Sequence, residues 1–289
     1  MVDIFLITTL VEVILSIVIL LFALLYPIPL LLVRRFRHHN NIFIINICLT
    51  TLASGIFFLI YFAMYYFDFD RLFAPNMCIV LYYGYNIAGV GIPFAFVNFT
   101  IYRFCSIMYP AKGLFKTKRW IVISITIQWI SEFVISMPFI FRQEPYCTFE
   151  IWMQIYTCLT AVFVPLFINM VLYVLIFLHA RSSSRRVHAQ TLSMTTSNNV
   201  NIQQGSISRR DISLLRQMFF IFSMFIGGWA PAYLTLLIGN FIYVDPIILE
   251  ITTIISELCV LNITINLFIC NHELRQYLKS KIRQIFHGQ

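Results

Sequence analysis

Four charged side chains interrupt otherwise apolar stretches of this 289-residue chain, and they define the chemistry it can perform. Arg103 follows a run, residues 78–100, that contains no charged residue, and Glu12, Glu132 and Glu257 lie inside other apolar runs. A charge at the centre of a membrane helix costs about 2.5–3.5 kcal/mol, so such residues usually pair or bind something. We therefore expect ion pairing or ligand binding. Two simpler interpretations stay open: Arg103 marks the cytosolic membrane surface, and Glu12 with Glu257 forms a structural pair.

The elements that must hold these residues are membrane-spanning helices. Hydrophobic residues make up 60% of the chain and charged residues 11%, which is far from the composition of a soluble domain. A span needs about 20 apolar residues to cross ~30 Å of hydrocarbon. The chain therefore predicts one all-α membrane domain, a bundle of seven helices at residues 4–33, 42–67, 77–108, 120–141, 151–179, 212–243 and 247–270.

Three local patterns modify this bundle. Pro27 and Pro29 each lack a backbone N–H, so we expect a kink near the end of the first span. Residues 181–208 are rich in Ser, Thr, Asn and Gln, which predicts a disordered cytosolic loop. If residues 271–286 form a helix, its apolar side chains share one face and its basic side chains lie beside that face. This pattern predicts a short amphipathic helix that lies on the membrane lipid.

The distribution of Lys and Arg predicts the orientation of the chain. With the N-terminus extracellular and the C-terminus cytosolic, 18 of the 20 basic residues face the cytosol, and only Arg71 and Arg142 lie outside. This follows the preference of basic residues for cytoplasmic loops. The net charge of +8 then requires no nucleic-acid partner. We expect a multi-pass protein of the plasma membrane.

Other classes of function have less support. No nucleophile, base and metal-ligand set clusters at either face, which argues against an enzyme and against a bound cofactor or metal. A membrane transporter or channel stays open as an alternative. It is disfavoured because the chain has neither an internal repeat nor a row of polar residues along the helices.

Several motifs occur in a fixed order along the chain. Cys78 lies 25 residues before Arg103, and Pro110 lies seven residues after it. The sixth predicted span contains Phe225-Ile-Gly-Gly-Trp229-Ala-Pro231. Residues of matching type stand in the fourth, fifth and seventh spans: Trp129, Pro165, Tyr173 and Asn266. Together these motifs resemble the rhodopsin-like (class A) G-protein-coupled receptors over nearly the whole chain.

The resemblance implies a receptor that binds an extracellular small ligand or peptide and activates a heterotrimeric G protein. It implies a disulfide between Cys78 and Cys147, which would hold a loop over the mouth of the bundle. It also implies an activation switch in which Trp229 senses the ligand and the sixth helix pivots at Pro231, with Phe225 one turn before the tryptophan.

A restraint on Arg103 is part of the same expectation. Asp211 lies 20 residues before Pro231, where many members of the family keep a carboxylate opposite the arginine. We expect Arg103 and Asp211 to form a latch in the inactive state, with Tyr173 placed to receive the arginine when the sixth helix moves. The alternative is that Asp211 only caps the start of that helix.

The chain departs from the family pattern at several positions. Tyr102 replaces the acid that usually precedes the arginine, and Thr51 and Ala23 replace an aspartate and an asparagine. Asn266 opens a motif that lacks the usual proline and tyrosine. We expect no sodium site at the bundle centre, because hard cations favour carboxylates. A receptor that signals weakly or constitutively is therefore a second alternative.

The candidate ligand-binding residues indicate a small cation. Val260 stands where opsins carry the retinal lysine, which excludes a photoreceptor, and Tyr85 stands where aminergic receptors carry an aspartate. Glu12 and Glu257 are expected to face each other across the first and seventh spans, with Trp229 as the floor. Because acidic residues predominate at the outer face, cationic ligands would be steered toward it. A short basic or amidated peptide, or another small cation, fits best.

Overall fold

The computed structural model describes a bundle of helices. The described residues are 4–33, 39–109, 112–141, 150–193, 209–270 and 272–287. Within these ranges, seven helices are long and apolar enough to cross a membrane, which confirms the predicted fold class. In chain order, from the first to the seventh span, they are Ile4–Leu32, Asn41–Phe67, Met77–Met108, Lys118–Phe139, Ile151–His179, Phe219–Ile238 and Pro246–Ile269. The N-terminal end of the bundle is the end at which the first span begins.

The first span is interrupted where the sequence predicts a kink. It consists of the helices Ile4–Leu25 and Pro27–Leu32, joined by a turn at Tyr26. The cause is local, since Pro27 and Pro29 cannot donate to the helical hydrogen-bond ladder. The Tyr26 ring packs edge-on against Phe268 of the seventh span, with 4.6 Å between ring centroids, so the turn is held against the bundle.

The fifth span also contains an irregular turn. Its helices are Ile151–Cys158 and Val164–Ser193, and a π-helical turn, Leu159–Phe163, lies between them. Pro165 lies two residues after this turn and lacks the N–H that would bond to it, and a π turn accommodates that loss. The hydroxyl of Thr160 donates to the carbonyl oxygen of Tyr156 at 2.8 Å and stabilises the same region.

The prediction of disorder for residues 181–208 is wrong in its first part, because the helix continues to Ser193. No glycine or proline occurs between Pro165 and Gly205, so the residues that usually end a helix are missing there. The remainder of the predicted loop, residues 194–208, lies outside the described residues.

The other spans are single helices, apart from one added turn. They are His39–Phe67, Pro75–Met108, Lys118–Ser136 with the 3₁₀ turn Met137–Phe139, Arg209–Ile238 and Pro246–Cys270. Short turns, Phe69–Leu72 and Gly113–Lys116, occur in the connections. The sixth span ends earlier than the predicted residue 243. Its end is closed by Asn240, whose side-chain amide donates to the carbonyl oxygens of Leu236 and Leu237 at 3.1 Å.

A helix also follows the seventh span, as predicted. It covers His272–His287 and packs against the bundle through Leu274, which is fully buried in the main apolar core. Basic side chains of this helix remain exposed, namely Arg275, Lys279 and Arg283. The helix therefore has one face on the bundle and a basic face away from it.

Large apolar side chains cover the outside of the bundle. Phe167, in the middle of the fifth span, is 71% exposed, and Phe177, near the end of that span, is 62% exposed. An apolar surface of this extent is unfavourable in water and is what a helix needs in order to face hydrocarbon. The exposed side chains thus agree with a multi-pass membrane protein.

A polar network joins the second, third and fourth spans inside the bundle. The side-chain amides of Asn46 and Asn98 donate to the Gln128 carbonyl oxygen at 2.7 and 3.0 Å. Gln128 in turn donates to Glu132 at 2.9 Å, and the indole of Trp129 donates to Asn46 at 3.0 Å. Gln128 is the common partner of three buried side chains, so it holds the three helices in register.

Replacing Gln128 by leucine is expected to destabilise the protein by about 1–3 kcal/mol, because its buried partners lose a hydrogen bond. Thermal unfolding of the purified protein in lipid nanodiscs measures the effect. Ser131→Ala is the matched control, since that exposed hydroxyl bonds only to the carbonyl oxygen of Ile127 in its own helix. Equal unfolding temperatures for the two variants would contradict the structural role of Gln128.

Candidate functional site

A cavity of about 260 Å³ lies among five spans, toward the N-terminal end of the bundle. Nine of its lining side chains are aromatic and three are carboxylic, while none of the described lining residues is basic. The residues around it are Glu12, Phe58, Tyr61, Phe62, Tyr65, Phe73, Leu81, Tyr82, Tyr85, Trp229, Ala232, Tyr233, Leu236, Leu249, Glu250, Thr253, Ser256 and Glu257.

One side of the cavity is acidic. Glu12 and Glu257 are 3% and 6% exposed, and Glu250 is half-buried. The hydroxyl of Ser16 donates to Oε1 of Glu257 at 2.8 Å, and the carboxyl groups of Glu12 and Glu250 are in hydrogen-bond contact. Oε2 of Glu257 is buried and has no hydrogen-bond partner among the described residues. The acidic side therefore retains acceptor capacity that the protein does not use.

Helical spacing places these groups on facing surfaces of the first and seventh spans. Glu12 and Ser16 are four residues apart, and Glu250 and Glu257 are seven apart, so each pair shares one helix face. The hydrogen bond from Ser16 to Glu257 shows that the two faces meet. The structure thus brings Glu12 and Glu257 together, as expected from the sequence, and adds Glu250.

The opposite side of the cavity consists of aromatic rings. Phe58 packs edge-on against Tyr85 of the third span at 5.8 Å between centroids, and Tyr61 packs against the same ring at 6.1 Å. Tyr61 also stacks on Tyr65 at 6.0 Å. Ring faces carry negative quadrupole charge and attract cations. Tyr85, a predicted ligand-binding residue, is therefore part of an aromatic wall.

Trp229 of the sixth span lies at the inner end of this wall. Its ring centroid is 5.3 Å from that of Phe58 and 6.1 Å from that of Phe225, which continues to Phe96 of the third span at 6.3 Å. The indole Nε1 is buried and has no hydrogen-bond partner among the described residues. Pro231 lies inside the same helix, two residues further on. Trp229 thus connects the cavity to the apolar core.

Tyr233 fixes the approach of the third and sixth spans. It is 4% exposed, and its hydroxyl has no hydrogen-bond partner among the described residues. A Cβ atom added to Gly89 would lie 2.4 Å from this hydroxyl oxygen, which is closer than atoms can pack. Only glycine at position 89 leaves room for the Tyr233 ring beside the cavity.

Cys78 begins the third span at the N-terminal end of the bundle and is disulfide-bonded. It is one turn before Leu81 and Tyr82, which line the cavity. Cys147, the predicted partner, lies outside the described residues, so the pairing stays a prediction. Among the described side chains, four cysteines are free: Cys48, Cys105, Cys158 and Cys259.

The far end of the third span carries Arg103, which is 7% exposed. Its guanidinium carbon lies 5.3 Å from the centroid of the Phe99 ring, one helical turn away. The neighbouring Tyr102 points into the core instead, where its ring lies 4.5 Å from that of Phe43. The residue in the usual place of an acid therefore contributes to packing between the second and third spans.

Tyr173 of the fifth span lies in the same layer of the bundle. Its hydroxyl is 3.4 Å from the hydroxyl of Thr100, which is three residues before Arg103. Its ring packs edge-on against Phe219 of the sixth span at 5.3 Å. Tyr173 thus contacts both of the spans that the expected switch would separate.

For two further predicted switch residues, the structure describes only part of the surroundings. Asp211 lies in the helix Arg209–Ile238, but its side chain lies outside the described part of the structure, so the latch is not tested. The side-chain amide of Asn266 donates to Asn262 at 3.2 Å, one turn earlier in the seventh span. Pro110 also lies outside the described residues.

Glu250, Tyr233 and the aromatic side chains of the second span are lining residues that were not among the predicted site residues. A signal for part of this set was available, because Phe58, Tyr61, Phe62 and Tyr65 follow helical spacing along one face.

Among the described residues, no group of three or more His, Cys, Asp or Glu side chains could hold a metal ion.

Seven spans, a cavity toward the N-terminal end of the bundle and a buried arginine at the other end are an arrangement typical of helical membrane receptors. The chain matches the family model of the 7 transmembrane receptors (rhodopsin family) over residues 27–269. It therefore belongs to the rhodopsin family of seven-transmembrane receptors. A comparison with curated proteins finds no match.

The packing of Tyr233 against Gly89 gives a prediction for helix stability. Gly89→Ala should destabilise the receptor by about 1–3 kcal/mol, because the Tyr233 ring must move. Gly227→Ala is the matched control, since a Cβ there meets no atom within 4 Å. That control should be neutral or stabilising by about 0.5–1 kcal/mol through higher helix propensity. Thermal unfolding in nanodiscs compares the two variants, and an equal stability of both would contradict the close approach.

Proposed function

We propose that this protein is a plasma-membrane receptor that binds a small cationic ligand in the cavity and activates a heterotrimeric G protein. One observation carries the proposal: three carboxyl groups lie on one side of the cavity, aromatic rings lie on the other, and no described lining residue is basic. Carboxylates and ring faces are the groups that attract organic ammonium ions. A short basic or amidated peptide meets the same requirements.

In this proposal the N-terminal end of the bundle faces the cell exterior, and the C-terminal helix lies on the cytosolic membrane surface. The concentration of Lys and Arg on one side of the spans supports this orientation. The exposed basic residues of the C-terminal helix suit contact with anionic lipid. Exposed acids around the opposite end would raise the local concentration of cations, among them Asp68, Asp70 and Asp245.

Signal transmission starts at Trp229 in this account. A ligand in the cavity touches the indole ring, and Pro231 provides a position at which the sixth helix can bend. Movement of that helix away from the third span would open the surface around Arg103 to a G protein. Tyr173, already within hydrogen-bond distance of Thr100, would then contact the arginine.

The pairing of Cys78 with Cys147 belongs to the same proposal. A bond there would tie the loop before the fifth span to the first turn of the third, next to Leu81 and Tyr82 of the cavity. Such a tether reduces the number of loop conformations before ligand binds, and this favours binding through pre-organisation.

A receptor with altered basal signalling is the second candidate, and the position of Tyr102 favours it. An acid at that position could pair with Arg103, whereas the tyrosine ring packs against Phe43. Restraint of the arginine must then come from another element, for which Asp211 is the proposed source.

Removing the proposed latch should raise basal signalling. Asp211→Asn keeps the size of the side chain but removes the negative charge that the latch to Arg103 requires. Loss of a role at the helix start would lower stability and surface expression rather than raise basal signalling. We expect higher second-messenger levels without ligand in Asp211→Asn cells, at equal surface expression. Unchanged basal signalling in a variant that reaches the cell surface would contradict the proposed latch between Arg103 and Asp211.

The cation site is tested by Glu257→Gln, which preserves side-chain shape and removes one negative charge. A panel of small amines and amidated dipeptides is applied to cells that express the receptor, and the second-messenger response is recorded. For an active compound, the variant should lose roughly ten-fold to hundred-fold in potency, because a close charge pair is lost. Glu150→Gln is the matched control, since it removes the same charge from the same end of the bundle outside the cavity.

Two further readings complete this experiment. Arg103→Ala should abolish the response while leaving ligand binding intact, because the arginine lies far from the cavity. Equal potency in Glu257→Gln and the wild type would contradict the cation site. Uptake of the amine into cells without any second-messenger response would favour a transporter instead.

A further inference from the structure

The three carboxyl groups of the cavity form two positions rather than one. Glu12 and Glu250 lie beside each other and form the first position. Glu257 is separate, because its Oε1 accepts from Ser16 and its buried Oε2 has no partner among the described residues. Oε2 is the second acceptor position.

The two positions are displaced along the bundle axis. Glu250 and Glu257 are seven residues apart in one helix, which corresponds to about 10 Å along the helix axis. Ser16 bonds to Glu257, and Glu12 lies one turn before Ser16 in the first span, so Glu12 lies between the levels of Glu257 and Glu250. The two acidic positions are therefore separated by one to two helical turns, roughly 5–10 Å.

The aromatic wall extends over the same length. Tyr61 and Tyr65 of the second span line the cavity, and their ring centroids lie 6.0 Å apart. Two turns deeper than Tyr65 along the second span, Phe58 packs against Trp229. The aromatic wall thus extends over two helical turns, which matches the separation of the acidic positions, and its ring faces attract cations.

We propose that the ligand is a linear organic dication, in which an aliphatic chain separates two ammonium groups. The inference rests on the proposed function, because it assigns the ligand class of the same cavity. One ammonium group binds at the Glu12–Glu250 pair beside Tyr65, and the other binds Oε2 of Glu257 beside Phe58 and Trp229. A metal ion is disfavoured, since the described carboxylates are not grouped as metal ligands.

The test compares diamines with monoamines of equal chain length. Purified receptor in nanodiscs and receptor-expressing cells are titrated with α,ω-diaminoalkanes from propane to decane and with the corresponding n-alkylamines. We expect the diamines of intermediate length to be more potent by roughly ten-fold or more, because each close charge pair contributes at least that much. Potency should fall for shorter and for longer chains, which cannot place both groups.

Two variants assign the ends of the ligand. Glu250→Gln and Glu257→Gln should each reduce the potency of the best diamine to that of its monoamine, while Glu150→Gln leaves both unchanged. The chain-length series itself uses the wild-type receptor, so a variant that fails to fold does not remove the test.

The possible outcomes separate this inference from the proposed function. Monoamines that bind as tightly as diamines at every chain length overturn the dication and leave the cation receptor in place. Binding of diamines in the cavity without any signal contradicts the proposed function but retains the ligand class. Absence of binding for both series, and for the amidated dipeptides, overturns both proposals.

Discussion

The burial of carboxyl groups between helices is the constraint on which the rest of the structure depends. A carboxylate removed from water must find hydrogen bonds, a proton or a cation, because its desolvation is otherwise too costly. Glu257 accepts a hydrogen bond from Ser16, and Glu12 contacts Glu250. These contacts between the first and seventh spans meet part of the demand. Glu257 lines a cavity and one of its oxygens has no partner among the described residues, so a ligand can supply the missing interaction.

The buried Glu132 illustrates the other way in which a helix bundle accommodates a carboxyl group. It lies at the end of a hydrogen-bonded chain through Gln128 to Asn46 and Asn98, and Gly91 lets the third span pack closely beside it. That group stabilises the contacts of three helices and does not line the cavity. Two sets of acidic residues in one bundle therefore have different roles, because only one of them borders open space.

Local chemistry explains which features could be predicted from sequence. Long apolar runs predict the spans, and the interruption at Tyr26 follows from two prolines with no N–H to donate. The rarity of charges inside spans marks Glu12 and Glu257 as candidate site residues, and the resemblance to the receptor family implies that they face each other. Packing between spans explains what was missed: the rotation of the seventh helix brings Glu250 into the cavity, and the Tyr233 ring depends on the space left by Gly89. The polar composition of residues 181–193 predicts disorder, but the helix continues through Ser193 because no glycine or proline ends it earlier.

The location of a bound cation between the acidic and aromatic walls is the central claim, and photoaffinity labelling tests it most directly. A diaminoalkane that carries a diazirine in its chain is crosslinked to the receptor in nanodiscs, and the labelled peptides are identified by mass spectrometry. The account predicts labels within residues 58–65 and 229–236 that disappear with excess unlabelled diamine. Labels that resist competition, or that fall on the lipid-facing surface or near Arg103, would contradict it.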